Sequence, residues 1–118
     1  IHGEFYPGNI LISGTGRAVR VCPVDWEMAA HAPGLMDLAA LTTGWAPRAQ
    51  RALVRAYREG AAAANPRRIP QEFAIDLDCC RLYLAVRMLG WSDAWTPPPQ
   101  HARNWMHEAA RVLDRLSL

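Results

Sequence analysis

Long hydrophobic runs are missing from this sequence. No stretch approaches the ~18 apolar residues that a membrane-spanning helix needs, so no membrane partner is expected. Nor does a secretory-type segment open the chain. A cysteine framework is missing as well: Cys22 and the adjacent Cys79 and Cys80 make neither a CxxC nor a zinc spacing. An odd number of cysteines without a framework points to reduced, buried thiols in a cytoplasmic setting. The vicinal pair lies inside a helical apolar pattern, which favours packing over a redox or metal role. A strong charge of one sign is also lacking. The formal net charge is +2, so composition alone gives no nucleic-acid or membrane signal. There is no internal repeat and no low-complexity linker. What remains is 118 residues, 51% hydrophobic and 20% charged, ordinary globular material for one domain with a core.

Residues 9–13 and 17–21 are β-rich runs separated by Gly14-Thr15-Gly16, which predicts a hairpin. The glycine turn is no phosphate loop, because Val19 stands where a dinucleotide fingerprint needs glycine and no GK[ST] follows. Cys22-Pro23 should end the second strand. From Pro33-Gly34 the period becomes helical. Leu35, Leu38, Ala39, Leu41 and Thr42 form the first apolar face, with Gly44 as its stop. Pro47 opens a second helix that buries Leu53, Val54 and Tyr57, and Asn65-Pro66 breaks it. A third is expected from Pro70 to about Leu89, with Phe73, Leu77, Cys80, Leu84 and Met88 in one row. Leu82, Val86 and Leu89 widen that face, which makes this the most buried helix. Gly90 should end it, ahead of an aromatic, proline-rich loop. A last helix, about 100 to 116, buries Trp105, Ala109, Val112, Leu113 and Leu116. The expected class is α+β, mainly α: a short hairpin followed by about four helices.

The chemistry-bearing residues crowd into the start. His2, Glu4 and Asn9 fall within eight residues, and Asp25 and Glu27 follow the hairpin. Magnesium prefers hard oxygens, usually one or two carboxylates together with substrate phosphates. Asn9 and Asp25 flank a hairpin, which brings them together, and Glu4 can accept a proton from an attacking hydroxyl. That set suits phosphoryl transfer, where catalysis is mostly positioning and electrostatics. A metallohydrolase using His2 and Glu4 is disfavoured, because two loop residues are not an HExxH helix.

His2-x-Glu4-x-x-x-x-Asn9 resembles the H-x-D-x-x-x-x-N catalytic loop of the protein kinase-like superfamily. Val24-Asp25-Trp26-Glu27 stands where that superfamily carries its magnesium aspartate. An aspartate, an aromatic residue and then glutamate is similar to the aminoglycoside phosphotransferase and choline kinase branch, as is Gly34-Leu35-Met36-Asp37-Leu38-Ala39. The resemblance implies the C-terminal part of a kinase-like large lobe. It implies ATP as co-substrate, Mg2+ as cofactor and a small-molecule hydroxyl as acceptor. By it Glu4 takes the catalytic base's place, and Asn9 and Asp25 those of the catalytic metal ligands. Asp37 matches the aspartate that holds the loop's backbone, and His2 the histidine that stabilises the loop. Glu27 is open between supporting the metal and marking a helix start. The family carries aspartate where Glu4 stands, one methylene shorter, so a catalytically silent ligand-binding module remains an alternative.

The chain begins at Ile1 rather than Met, directly before this motif, although termini fray. The expectation is therefore a single partial domain over 1–118. Residues 1–32 carry the loop, hairpin and metal segment, and residues 33–118 a helical subdomain. The expected partner is an N-terminal lobe of the same protein, supplying a phosphate-gripping lysine and its glutamate. The chain alone is expected to be inactive.

Around the motif, Arg48, Arg51, Arg55 and Arg58 recur at helical spacing, with Arg67 and Arg68 beyond. A solvated face is the favoured reading. A basic interaction face is the alternative, and the lack of interleaved aromatics argues against nucleic acid. Trp91 and Trp95 are placed on a loop, where they could wall a substrate pocket or cage a cation, or simply pack against Pro97, Pro98 and Pro99. Asp76, Asp78 and Asp93 would suit a cationic substrate, but Arg81 and Arg87 share their helix.

Overall fold

Short β-prone runs on either side of a glycine-containing turn form a two-stranded antiparallel hairpin in the computed structural model of the chain. The structure describes residues 1–65, 67, 69–91, 96 and 102–117. Strand β1 (Ile10–Ser13) pairs with β2 (Arg20–Pro23) in the register Ile10 to Pro23 through Ser13 to Arg20. The second strand starts three residues later than the sequence pattern suggests. Gly16–Ala18 winds into a 3-10 turn, so Arg17 and Ala18 extend the connection instead of pairing. Four α-helices follow among the described residues: α1 (Leu35–Thr42), α2 (Pro47–Ala64), α3 (Phe73–Trp91) and α4 (Trp105–Leu116). The architecture is α+β and mainly α. The chain divides into two units, Ile1–Ile69 and Pro70–Leu118.

In the first unit α1 is the buried element, with Leu35, Leu38, Ala39, Ala40 and Thr42 all inaccessible. Its end is set by threonine hydroxyls that bond back to carbonyls one turn earlier, Thr42 to Leu38 at 2.7 Å and Thr43 to Ala39 at 2.7 Å. Helix α2 begins with Pro47 in its first turn, where a missing N–H costs nothing. Its Leu53, Val54 and Tyr57 face inward but stay half-buried, short of the full burial the pattern implied. Arg48, Arg51, Arg55 and Arg58 line the exposed side, and Arg55 pairs with Glu59 at 3.6 Å.

Gly3 is forced by its surroundings. Its φ of +88° lies in the left-handed region, and a Cβ there would overlap the carbonyl oxygen of Met28. The same crossing is tied by Ile1, whose amino group donates to the Ala30 carbonyl at 2.8 Å while its own carbonyl accepts from Ala30 at 3.2 Å.

In the second unit α3 and α4 pack antiparallel, since Asp78 near the start of α3 meets Arg115 near the end of α4. Phe73, Leu77, Leu84, Ala85 and Met88 close on Trp105, Ala109 and Val112. The α3 helix starts later than Pro70 and runs past Gly90 to Trp91. It is not the most buried helix: Ile75, Tyr83 and Val86 are half or more than half exposed, because its apolar residues run round the helix while α4 covers one side of it. Nor are the thiols buried. Cys22 and Cys79 are exposed and Cys80 is intermediate, all three unpaired. Helix α4 starts at Trp105 with Asn104 as its cap, the side chain accepting from the His107 N–H at 2.9 Å.

One ion cluster sits inside this apolar contact. Asp78, only 9% exposed, takes Arg81 at 2.9 Å from its own helix and Arg115 at 2.8 and 2.9 Å from α4. Burial pushes its carboxyl up, but the hydrogen bonds from Arg115 and Arg81, and their charges, outweigh this and hold it below the usual aspartate value of 3.8. A depressed acid contributes stability that is complete above its unfolded pKa and is lost as pH falls through its folded one. The second unit is therefore expected to hold its stability at neutral pH and weaken progressively below about pH 4, read by far-UV circular dichroism across an acid titration. Asp78→Ala should cost about 1–3 kcal/mol in urea unfolding and flatten that acid dependence, because the two arginines lose their shared acceptor. Gly3→Ala should destabilise the first unit by about 1–3 kcal/mol, seen as faster amide exchange at residues 2–5 and 28–30 with α3 and α4 unaffected.

Candidate functional site

The loop before β1 contains few residues that can build a core, so its backbone must find partners elsewhere. Asp37, in the first turn of α1, supplies them. Its carboxylate accepts the backbone N–H groups of His2 at 2.7 Å and Gly3 at 3.0 Å. Both oxygens of one side chain thus hold two successive amides, an arrangement roughly twice as strong per bond as a neutral pair.

From His2 a closed ring of hydrogen bonds runs through the site. The His2 Nε2–H donates to the Val24 carbonyl at 2.9 Å, and Val24 N–H donates to the Asn9 carbonyl at 2.9 Å. Asn9 Nδ2 donates to the Glu4 carbonyl at 3.0 Å, and Glu4 N–H donates to His2 Nδ1 at 3.3 Å. His2 is 3% exposed and uses both ring nitrogens on main-chain groups, so its geometry is that of a brace. Its ring also packs on Phe5, centroids 5.6 Å apart, and on Trp26 at 4.6 Å. Trp26 is fixed in turn by its Nε1–H, which donates to the Pro23 carbonyl at 3.1 Å.

The ring brings Glu4, Asn9 and Asp25 to one end of the hairpin. Asn9 immediately precedes β1, Val24 follows β2, and their mutual bond extends the ladder by one step. Asn9 uses its amide nitrogen on Glu4, so Oδ1 is the side-chain atom that could take a cation. Asp25 is exposed and has a φ of +67°, unusual for a residue with a side chain. A carboxylate and an amide oxygen at the end of a hairpin fit a hard divalent cation that takes its remaining ligands from water or phosphate. Among the described residues, no group of three or more His, Cys, Asp or Glu side chains is placed to hold a metal by itself. Glu27 lies on an exposed turn two residues beyond Asp25. No helix begins there, which removes the helix-start reading.

The remaining candidates lie apart from this cluster in sequence and unit. Trp91 is the last residue of α3 rather than a loop residue, 43% exposed, and Arg87 of the same helix sits over its ring at 5.0 Å. The cation on that indole is therefore the chain's own. Trp95, Asp93, Arg68 and Pro97 to Pro99 fall outside the described residues. Asp78 is taken by its two arginines and does not serve a cationic substrate. Burial pushes the Cys80 thiol up, Cys79 and Asp76 adding to it, which opposes thiolate chemistry.

Sequence reasoning missed Phe5 and the bracing role of Trp26. The signal was present, since each aromatic directly follows one of the two carboxylates assigned to chemistry. No curated protein and no solved structure matches the chain. Residues 1–73 match the phosphotransferase enzyme family, in agreement with the resemblance carried by the loop and by Asp25. That span covers more than half of the sequence and holds the loop, the hairpin, α1 and α2, so the chain belongs to the phosphotransferase enzyme family.

Proposed function

We propose that this chain forms the base-bearing and cation-holding part of an ATP-dependent phosphotransferase acting on a small-molecule hydroxyl. The observation that supports the reading is the Val24–Asn9 bond, which pairs Asn9 with the residue directly before Asp25 at the hairpin's end. In the reaction, the acceptor oxygen bonds to the γ-phosphorus of ATP while the bond from that phosphorus to the β,γ-bridging oxygen breaks. ADP leaves with the electron pair, and the hydroxyl proton passes to the Glu4 carboxylate. Asn9 Oδ1 and Asp25 would hold Mg2+, with Glu27 nearby in sequence. When bound there, the ion would neutralise charge on the phosphates. His2 and Asp37 act as positioning residues, holding the main chain of Glu4 at a fixed distance from that of Asn9.

The 118 residues contain no lysine, every one of the 13 basic residues being arginine. Under this reading the phosphate-gripping lysine belongs to an N-terminal lobe of the same protein. A cytoplasmic setting suits three unpaired thiols. A second reading, a ligand-binding module that transfers nothing, draws on Glu4, whose extra methylene moves the carboxylate by about an ångström from where an aspartate would hold it.

In a protein carrying both lobes, Glu4→Gln should lower turnover by about 10²–10⁴-fold with ATP affinity kept. Asp25→Asn should abolish transfer with the fold intact by circular dichroism. Full turnover by the glutamine variant would refute the base assignment of Glu4, and full turnover by Asp25→Asn would refute the cation assignment. A two-lobe protein that binds Mg-ATP but transfers phosphate to no hydroxyl compound would favour the silent module. On the 118-residue chain alone, Mn2+ should broaden the amide signals of Asn9, Val24 and Asp25, and Asp25→Asn should remove that broadening. The same chain should show no ATP turnover in a coupled ADP assay. Measurable turnover would overturn the division of labour between lobes.

A further inference from the structure

Behind the catalytic-type loop lies a cavity of about 390 Å³ that the functions above do not use. Phe5 forms one wall, Leu38 and Leu41 of α1 a second, and Leu53 and Tyr57 of α2 a third, with Ala56 at its exposed rim. Small-molecule sites occupy roughly 300–1,000 Å³, and an apolar cavity of ~150 Å³ already takes benzene. The space therefore admits a bicyclic aromatic molecule. Its chemistry favours an uncharged ligand and opposes an anion. Asp37 borders it, with each carboxylate oxygen already accepting one amide, from His2 and from Gly3. The rest of the lining is carbon, apart from the Tyr57 hydroxyl. Gly34 makes room for that hydroxyl, since a Cβ there would stand 3.0 Å from it.

We propose that this cavity is a binding site for a small uncharged aromatic molecule of about the size of indole, and that its occupancy is transmitted to the loop and to Asp25 through the Phe5–His2–Trp26 stack. Tyr6 N–H donates to the Glu4 carbonyl at 2.7 Å, closing a three-residue turn with Phe5 at its centre. A ligand pressed on the Phe5 ring therefore bears on the turn that sets the Glu4 main chain. The Phe5 ring packs on His2, and His2 packs on Trp26 and bonds to the carbonyl of Val24, the residue before Asp25. The walls are two regular helices, so the space keeps its shape without a ligand, and because it is open on one side a ligand seated in it removes apolar lining from water.

Indole titrated into the complete 118-residue chain, followed by 1H–15N NMR, provides the test, with binding read independently of any phosphotransfer. Saturable shifts are expected at Phe5, Leu38, Leu41 and Tyr57 and at the Trp26 indole N–H, which does not touch the cavity. Ala56→Phe, at an exposed helix position, should weaken indole at least tenfold by closing the mouth, and Leu53→Trp is a second filling variant if the first loses its native spectrum. Indole-3-acetate, the anionic analogue, should bind at least tenfold more weakly, since its charge would meet Asp37. Shifts that fail to saturate, or that gather on the exposed hairpin side chains Leu11 and Ile12, would overturn the site. Saturation at the cavity with a motionless Trp26 signal would overturn the coupling.

Discussion

The carboxylate of Asp37 is the point on which the loop of the first unit hangs. A loop with a left-handed glycine cannot pair its amides in a helix or a strand, and a buried N–H without an acceptor costs about 1–3 kcal/mol. Asp37 relieves two such groups from one position on the most buried helix of the chain. Placing α1 therefore places His2 and Gly3. From there each bond of the ring determines the next, His2 to Val24, Val24 to Asn9, Asn9 to Glu4 and Glu4 back to His2. In every link at least one partner is a main-chain group. The ring thus fixes the backbone of Glu4, Asn9 and Val24, the residue before Asp25, without using Asn9 Oδ1 or the Asp25 carboxylate.

The second unit solves a different problem by similar means. Helices α3 and α4 bury apolar rows against each other, and apolar rows alone tolerate sliding by a turn. Asp78 does not. It takes two arginines, one three residues along its own helix and one 37 residues away, with geometry that a shift of one turn would destroy. Buried ion pairs often add little net stability once desolvation is counted, and fixing register is their best-attested use. Arg81 and Arg115 remain partly exposed, which lowers the desolvation cost and lets the pair be kept.

Much of this was readable from residues, and what was not has identifiable physical causes. Periodicity located all four helices, and the row from Phe73 to Met88 is the row that packs. Amphipathic spacing is a local property that tertiary contacts then exploit. The β2 strand was misplaced because a 3-10 turn at Gly16–Ala18 lengthens the connection, and glycine-rich turns specify flexibility more strongly than length. Burial on α3 was overestimated at Val86, and on α2 at Tyr57, since hydrophobicity records what a face can bury and not how many partners it meets. At the site, Glu4, Asn9 and Asp25 stood out by type and spacing. The ring that joins them did not, because three of its four acceptors are main-chain carbonyls, which every residue carries.

Asp25 shows why side-chain chemistry has to be weighed against backbone comfort at this site. At φ +67° a glycine would sit without steric penalty, and asparagine tolerates the region better than most residues. A chain shaped for stability alone would gain from glycine there, since residues held in such regions cost of order 1–3 kcal/mol. The strain persists because the hairpin end is over-determined: Val24 is held on both its N–H and its carbonyl, and Trp26 by its indole N–H, so the residue between them has little freedom to relax. An aspartate kept in that position contributes nothing to packing, being exposed. Under the proposed function, what it contributes is a negative oxygen pair at the same hairpin end as Asn9, the kind of hard-oxygen donor that a divalent cation bridging to phosphate requires. The conformational cost at Asp25 thus supports the same functional reading as the ring that imposes it.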